Sequence, residues 1–308
     1  MDMYKPEGLN RSTKCGFREN ELVQAIERGA ILEAPVFKSD ENLTMHVDLG
    51  KKIYGLIPYE ECEMTFDDKA IKSIAVISRV GKTVAFKVKE IRLDEAGNKY
   101  ALLSRKEAQV DCKNNFINKL LPGQIIDAKV SHIERYGVFC DIGCGCVALL
   151  PIKNMCVTRI DLKHALKFVK NMKVVVKGVD ETGKVTLSHK ELLGTWEEEA
   201  SKFNTGETVI GVVSSVEEYG VFVELTPNLS GLAEVNEGVK PGDRVTVLIK
   251  GFLLEQMKIR LLIINYEAEE SEGRYSEFKY KISEGRVKVW RYSPKESPRV
   301  IETVFYED

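Results

Sequence analysis

Two stretches of this chain are almost the same text: Val130 to Ile142 reads VSHIERYGVFCDI, and Val213 to Leu225 reads VSSVEEYGVFVEL. An internal repeat constrains the architecture first, because each copy must fold as a unit of one kind. Each copy sets a Tyr, a Gly and a Phe in one strand. Tyr136 and Phe139, or Tyr219 and Phe222, can then share an outer surface. Side chains alternate across a flat strand, so positions three apart would oppose each other. The shared surface therefore requires Gly137 to permit a bulge or bend. Aromatic rings open to water on a sheet form a platform for unpaired bases. This points to nucleic-acid binding ahead of catalysis.

The rest of the chain is read around the repeat. Ile31 to Arg105 holds five short β-runs (ILEAPVF, LTMHVDL, KIYGLIP, KTVAFKVKEIRL and KYALLS), the number that closes a small barrel. A second set follows Pro122-Gly123: QIIDAKVSHI, YGVFCDI, CVALLPI, MKVVVKGVD and KVTLS. The third set is TVIGVVSSV, YGVFVEL, SGLAEV, DRVTVLIKGFL and KIRLLII. Asn20 to Arg28 has helical spacing, with Asn20 as N-cap and Gly29 as stop. Lys106 to Leu121, Arg159 to Lys170 and Leu192 to Asn204 read as connecting helices. An acidic stretch at Glu267 to Glu272 precedes a tail that alternates with period two. It reads as an antiparallel meander turning at Ser283-Glu284-Gly285, its aromatics forming their own small core. The first twenty residues are polar and read as loose.

The expected fold class is mainly β: three tandem five-stranded OB-fold barrels joined by short helices, plus a small C-terminal antiparallel β unit. The expected domains are a leader and helix over 1–29, a degenerate barrel over 30–107, and barrels over 120–193 and 205–266, with a β tail over 274–308.

Composition narrows the function. The 308 residues carry a net charge of −2, which a dedicated duplex binder would not show. The charge is uneven, with 11 Lys and Arg against 7 Asp and Glu from Leu120 to Leu193, but 5 against 8 from Thr205 to Tyr266. Polyanions should favour the first of these segments. The polar start is not a secretory signal, no apolar run suits a bilayer, and seven Cys without a disulfide framework fit a reducing compartment. A cytoplasmic protein with no membrane partner is expected.

The second and third sets resemble the S-one RNA-binding module, a five-stranded OB barrel first seen repeated in a small-subunit ribosomal protein. The residues carrying this are Gly123-Gln124, Tyr136-Gly137-Val138-Phe139, Ala148 to Ile152, Val174 to Asp180, Gly183-Lys184 and Val185 to Ser188. In the third set they are Gly206, Tyr219 to Phe222, Gly231-Leu232, Pro241 to Asp243 and Lys258-Ile259. Gly55 to Pro58 and Leu102 to Arg105 extend the resemblance weakly into the first set.

The resemblance implies RNA lying on two aromatics, a strand-three His and a basic residue before the last strand. Carried over, these are Tyr136 and Phe139, with Asp180 and Lys184 at the last hairpin, and Tyr219, Phe222 and Lys258 in the third set. Pro151 stands at the His position in the second set and Glu234 in the third. In the first set the aromatic positions fall near Asn42 and Met45, and the platform is missing. Arg135 and Lys153 join as phosphate contacts. Glu217, Glu218, Glu224 and Glu234 crowd the third platform, while His132 and His189 read as surface histidines. The implied partner is single-stranded RNA, as mRNA, with the ribosome or a ribosomal protein, in translation or mRNA handling.

Cys140, Cys144, Cys146 and Cys156, with His164 as an alternative ligand, invite a zinc site. Cys140 sits in a strand although its spacing to Cys144 fits, and Cys144-Gly145-Cys146 is too tight for a knuckle, so no metal or cofactor is expected. No phosphate loop, HExxH pair or catalytic triad stands out, and no enzyme is expected. The alternative is a protein-interaction scaffold with incidental RNA binding. A DNA regulator fits less well, because no basic recognition helix is visible.

Overall fold

In the computed structural model, residues 4–9, 16–50, 53–65, 70–158, 162–235, 238–267 and 277–306 are described. Residues 268–272 of the acidic stretch, the ends of the expected tail (274–276, 307–308) and the His164 side chain lie outside them. The chain divides into two compact units: residues 1–120 with 127–129 and 141–147, and residues 121–126, 130–140 and 148–308.

In the first unit, helix α1 (Glu19–Arg28) precedes barrel one. The barrel is built from β1 (Ile31–Ser39), β2 (Met45–Asp48), β3 (Tyr54–Ile57), β4 (Thr83–Leu93) and β5 (Lys99–Ser104). It closes in the order β1-β2-β3-β5-β4. The alternation that builds it is plain in β2, where Met45 and Val47 point into the core while His46 and Asp48 point out. Short α2 (Ser73–Ile77) lies between β3 and β4, and α3 (Arg105–Asn115) follows β5. Helix α1 starts one residue before the expected Asn20 cap, because the Glu21 carboxylate reaches back to the Arg18 N–H at 2.9 Å.

The leader is not loose where it is described. The Glu7 carboxylate forms a fork with the buried Arg105 guanidinium, Oε1 to Nε 2.7 Å and Oε2 to Nη2 3.2 Å. Its backbone N–H donates to Asp141 Oδ2 at 2.7 Å. Burial pushes the Glu7 carboxyl up, but the Arg105 charge overrides this and leaves it below its ordinary value.

Barrel two consists of β6 (Ile125–Glu134), β7 (Gly137–Gly143), β8 (Cys146–Pro151), β9 (Asn171–Val179) and β10 (Val185–Ser188), with α4 (Leu162–Ala165) between β8 and β9. Its strand order is β10-β8-β7-β6-β9. Helix α5 (Trp196–Ala200) leads to barrel three: β11 (Thr208–Glu217), β12 (Gly220–Thr226), β13 (Leu229–Ala233), β14 (Arg244–Leu253) and β15 (Lys258–Glu267). The order β11-β12-β13-β15-β14 matches barrel one. Among the described residues no helix is long and apolar enough to cross a membrane.

Among the described residues the tail has fewer strands than its alternation suggests, with β16 (Val289–Arg291) pairing to β17 (Glu302–Val304). Its aromatics do not form a separate core. Trp290, Tyr292 and Phe305 join one buried cluster with Trp196 of α5, Val175 and Leu192 of barrel two, and the interior of barrel three. Burying such rings stabilises strongly, each removing about 150–250 Å² from water. Phe278 and Tyr280 instead close over His189, at ring centroid distances of 4.5 and 5.7 Å. His189 is therefore buried rather than a surface histidine.

Candidate nucleic-acid interface

In barrel two the β6–β7 hairpin turns on Arg135 and Tyr136. The Tyr136 side chain stands open at 57% exposure, with Phe139 half-buried beside it. The two rings meet edge to face, with centroids 6.1 Å apart and planes at 89°. His132 stacks on Phe139 at 6.4 Å and 28°, its Nε2 held 2.7 Å from Glu134 Oε1. The result is a row of three rings where two were expected.

The way the rings come together differs from the expectation. Tyr136 shares the face of Phe139 because it belongs to the hairpin turn, ahead of a strand that begins at Gly137. Gly137 is required for close approach: a Cβ there would sit 2.5 Å from the Leu150 carbonyl oxygen. In barrel three the register slip lies on the neighbouring strand, between Val213 and Ser215, and not at Gly220.

Cations flank the row. Ile152 N donates to the Tyr136 carbonyl at 2.9 Å, which places Lys153 next in chain to a residue tied to the platform. The turn carrying Lys153 is fastened by His189 N to the Asn154 carbonyl at 2.9 Å and by Asn154 Nδ2 to the Leu187 carbonyl at 3.0 Å. Burial lowers the Lys190 pKa, and the charges of Lys177 and Lys153 act in the same direction, so three ammonium groups are gathered here. Lys177 was not singled out from the sequence. Arg135 and Lys184 are exposed. Asp180 holds the last hairpin, its Oδ1 accepting from the Thr182 and Lys184 N–H groups at 2.9 Å each. The Thr182 hydroxyl, which donates to the same oxygen at 2.7 Å, does most to keep its carboxyl below the ordinary range, and the two backbone N–H groups act in the same direction.

Barrel three repeats the ring pair, with Tyr219 at 68% exposure and Tyr219–Phe222 at 6.1 Å and 90°. Across the strands Phe222 faces Ser215 and Leu232, and Leu232 faces Arg260. Arg260 is an exposed cation that only the register reveals, and Lys258 is exposed at the start of β15. Glu234 is open and pairs with Lys250 at 3.4 Å. Glu224 does not crowd the platform. It is buried, with Thr158 Oγ1 3.4 Å from its Oε2.

In barrel one the expected positions are displaced by one. Met45 is fully buried and Asn42 lies in the hairpin loop. The register sets His46 opposite Lys38 and Leu56, with Leu56 opposite Leu102, so His46 holds the place of Phe222. Cys140, Cys144, Cys146 and Cys156 are buried.

Tandem closed barrels with outward aromatic pairs define this as a protein of the OB-barrel class. Residues 119–190 match the family model described as the S1 RNA binding domain. Barrel two is therefore an S1 (S-one) RNA-binding domain. The chain is 27% identical to the small ribosomal subunit protein bS1 of Staphylococcus aureus (strain COL), over 79% of this chain and 63% of that protein. It is 28% identical to the Staphylococcus epidermidis protein of the same name over the same shares. It thus spans less than two thirds of these relatives. A crystal structure of a multidomain protein with nucleic acid binding domains from Streptococcus pneumoniae TIGR4 is matched at 14% identity and a TM-score of 0.24, covering 77% of this chain and 73% of that one.

Proposed function

We propose that the chain binds single-stranded RNA on the outer face of barrel two, with bases stacking on Tyr136 and Phe139 and phosphates meeting Arg135, Lys153 and Lys184. Asp180 acts by aligning the hairpin that carries Lys184. Tyr219, Phe222 and Lys258 form a weaker second platform. The observation that carries this reading is the open, perpendicular ring pair beside the lysine-bearing turn, inside the segment that matches an RNA-binding domain. Recognition through ring faces implies little sequence choice. We take the working modules as 1–29, 30–107, 120–193, 205–266 and 274–308, barrel two being the main RNA binder. Similarity to small-subunit ribosomal proteins supports a role with mRNA at the ribosome.

Filter binding to poly-U tests the site. Tyr136→Ala with Phe139→Ala should weaken binding at least about 10-fold, since each base–ring contact is worth about 1–3 kcal/mol. Unchanged affinity in a folded double variant would remove this surface from consideration. The open anion Glu234 on barrel three favours a second reading for that barrel, docking to a protein partner. Binding there would persist as salt is raised, whereas RNA binding would fall steeply.

A further inference from the structure

We propose that barrel one carries a base-stacking site of its own, made by Phe37 and His46, for single-stranded nucleic acid. It goes beyond the platforms proposed for barrels two and three and takes its open ring, Phe37, from a different strand. No Tyr-Gly-x-Phe text marks it.

His46 lies in the same cross-strand row as Phe222: His46 faces Leu56, which faces Leu102, as Phe222 faces Leu232, which faces Arg260. An aromatic ring therefore occupies the second platform position. The first is filled differently. Leu43, as far before His46 as Tyr219 is before Phe222, is partly buried against the barrel core and offers no ring. The missing ring comes from the neighbouring strand. The pairing of β1 with β2 slips between Val36 and Lys38, so Phe37 is the extra residue of a bulge. A bulge re-aims its residue, and Phe37 stands out at 56% exposure, nearly that of Tyr136.

The two rings meet edge to face at 6.0 Å and 65°, close to the 6.1 Å of the other two pairs. Asp40 Oδ2 lies 3.0 Å from His46 Nε2 and fixes the ring's orientation. The same carboxylate's Oδ1 accepts from Asn42 N at 3.0 Å and Thr44 N at 2.9 Å, so the hairpin holds the ring from behind. Lys38, exposed and directly opposite His46, supplies a cation for a phosphate. An unpaired base is the ligand this combination takes: an open ring, a fixed heteroaromatic ring and one flanking ammonium.

The test uses the full chain with Phe37→Trp. Both native tryptophans, Trp196 and Trp290, are buried, so the new indole is the one open to contact quenching. Poly-U should quench it, and should still do so when Tyr136→Ala and Phe139→Ala are added. That separates this site from barrel two whichever way the barrel-two test falls. In that doubly substituted background, Phe37→Ala should weaken residual poly-U binding by about 5-fold or more, and Phe37→Trp should restore it. An indole that poly-U leaves unquenched, with residual binding indifferent to Phe37→Ala, would overturn the proposal. So would an indole that responds to a protein ligand and not to poly-U.

Discussion

Barrels two and three carry the same strand text and hold their ring pairs in the same geometry, 6.1 Å apart at 89° and 90°. Around those rings almost everything else differs. His132 adds a third ring to barrel two where barrel three has Ser215. Barrel two has Pro151 where barrel three has the anion Glu234, and Thr186 facing Leu149 where barrel three has Arg260 facing Leu232. Ring placement follows from the hairpin turn and from a glycine that must pass close to the next strand. Charge follows from outward residues on which the fold makes no demand. A platform can thus be copied faithfully while its affinity for a polyanion changes.

The sharpest test of this asymmetry sets the two platforms side by side. Tyr219→Ala with Phe222→Ala should cost poly-U binding no more than about 3-fold, against the 10-fold or larger loss expected from the barrel-two pair, because base stacking needs neighbouring phosphate contacts to hold the strand. Filter binding at one fixed salt concentration measures both. Equal losses would show that ring geometry alone sets affinity.

The barrels also differ at the end of the closing strand, where barrel two continues from Ser188 into the buried His189. Burial lowers the His189 pKa to about 4 from its ordinary 6.5, and among the described residues its Nε2 has no hydrogen-bond partner. Between those values the unfolded chain binds more protons than the folded one, so stability rises with pH. The contribution is complete above pH 6.5 and is lost as pH falls toward 4, amounting to about 3 kcal/mol over the window. His189→Asn keeps a donor for the Met155 carbonyl, which His189 Nδ1 meets at 2.9 Å, and removes the titration. Melting temperatures at pH 7 and pH 5 should therefore fall less in the variant than in the parent. Parallel pH dependence would mean that the imidazole is not held neutral by its cover.

The barrels, the approximate places of their strands and the ring pairs were legible because strand alternation and turn residues are local signals. What escaped notice depended on distant segments. LLSR and TLSH look alike as closing strands, and nothing near them announces that Arg105 will be buried against Glu7 or His189 beneath Phe278 and Tyr280. Register was the other blind spot. His46, Phe37 and Arg260 declare their faces only once the pairing of neighbouring strands is known, and a single bulge shifts which residue looks outward. The tail misled for a third reason. Its alternation was real, but its aromatic residues pack on α5 and the two barrels as well as on one another, so they do not close a core of their own.

The lysines of barrel two give a more moderate test. Lys153→Ala with Lys184→Ala should make the logarithmic salt dependence of poly-U binding shallower by about 1.4, since each single-strand phosphate contact contributes about 0.7. The ring variants should shift affinity while leaving that slope nearly unchanged. A slope untouched by the lysine pair would move the phosphate track elsewhere, to Arg135 or to Lys177 and Lys190, whose charges act on one another.

The smallest effect probes the comparison from the opposite side, by giving barrel three what it lacks. Glu234→Lys removes the anion from the position beside the second platform and breaks its pairing with Lys250. Two ammonium groups then face the path of a strand where a neutralised pair stood before. Poly-U binding should tighten about 3-fold at low salt, and the salt slope should steepen by about 0.7, the signature of one added phosphate contact. Adding Tyr219→Ala and Phe222→Ala should cancel the gain in affinity but keep part of the steeper slope, because the cation needs the rings to seat the strand close by. If Glu234→Lys changes neither quantity, charge is not what separates the two barrels, and the missing third ring at Ser215 becomes the difference that matters.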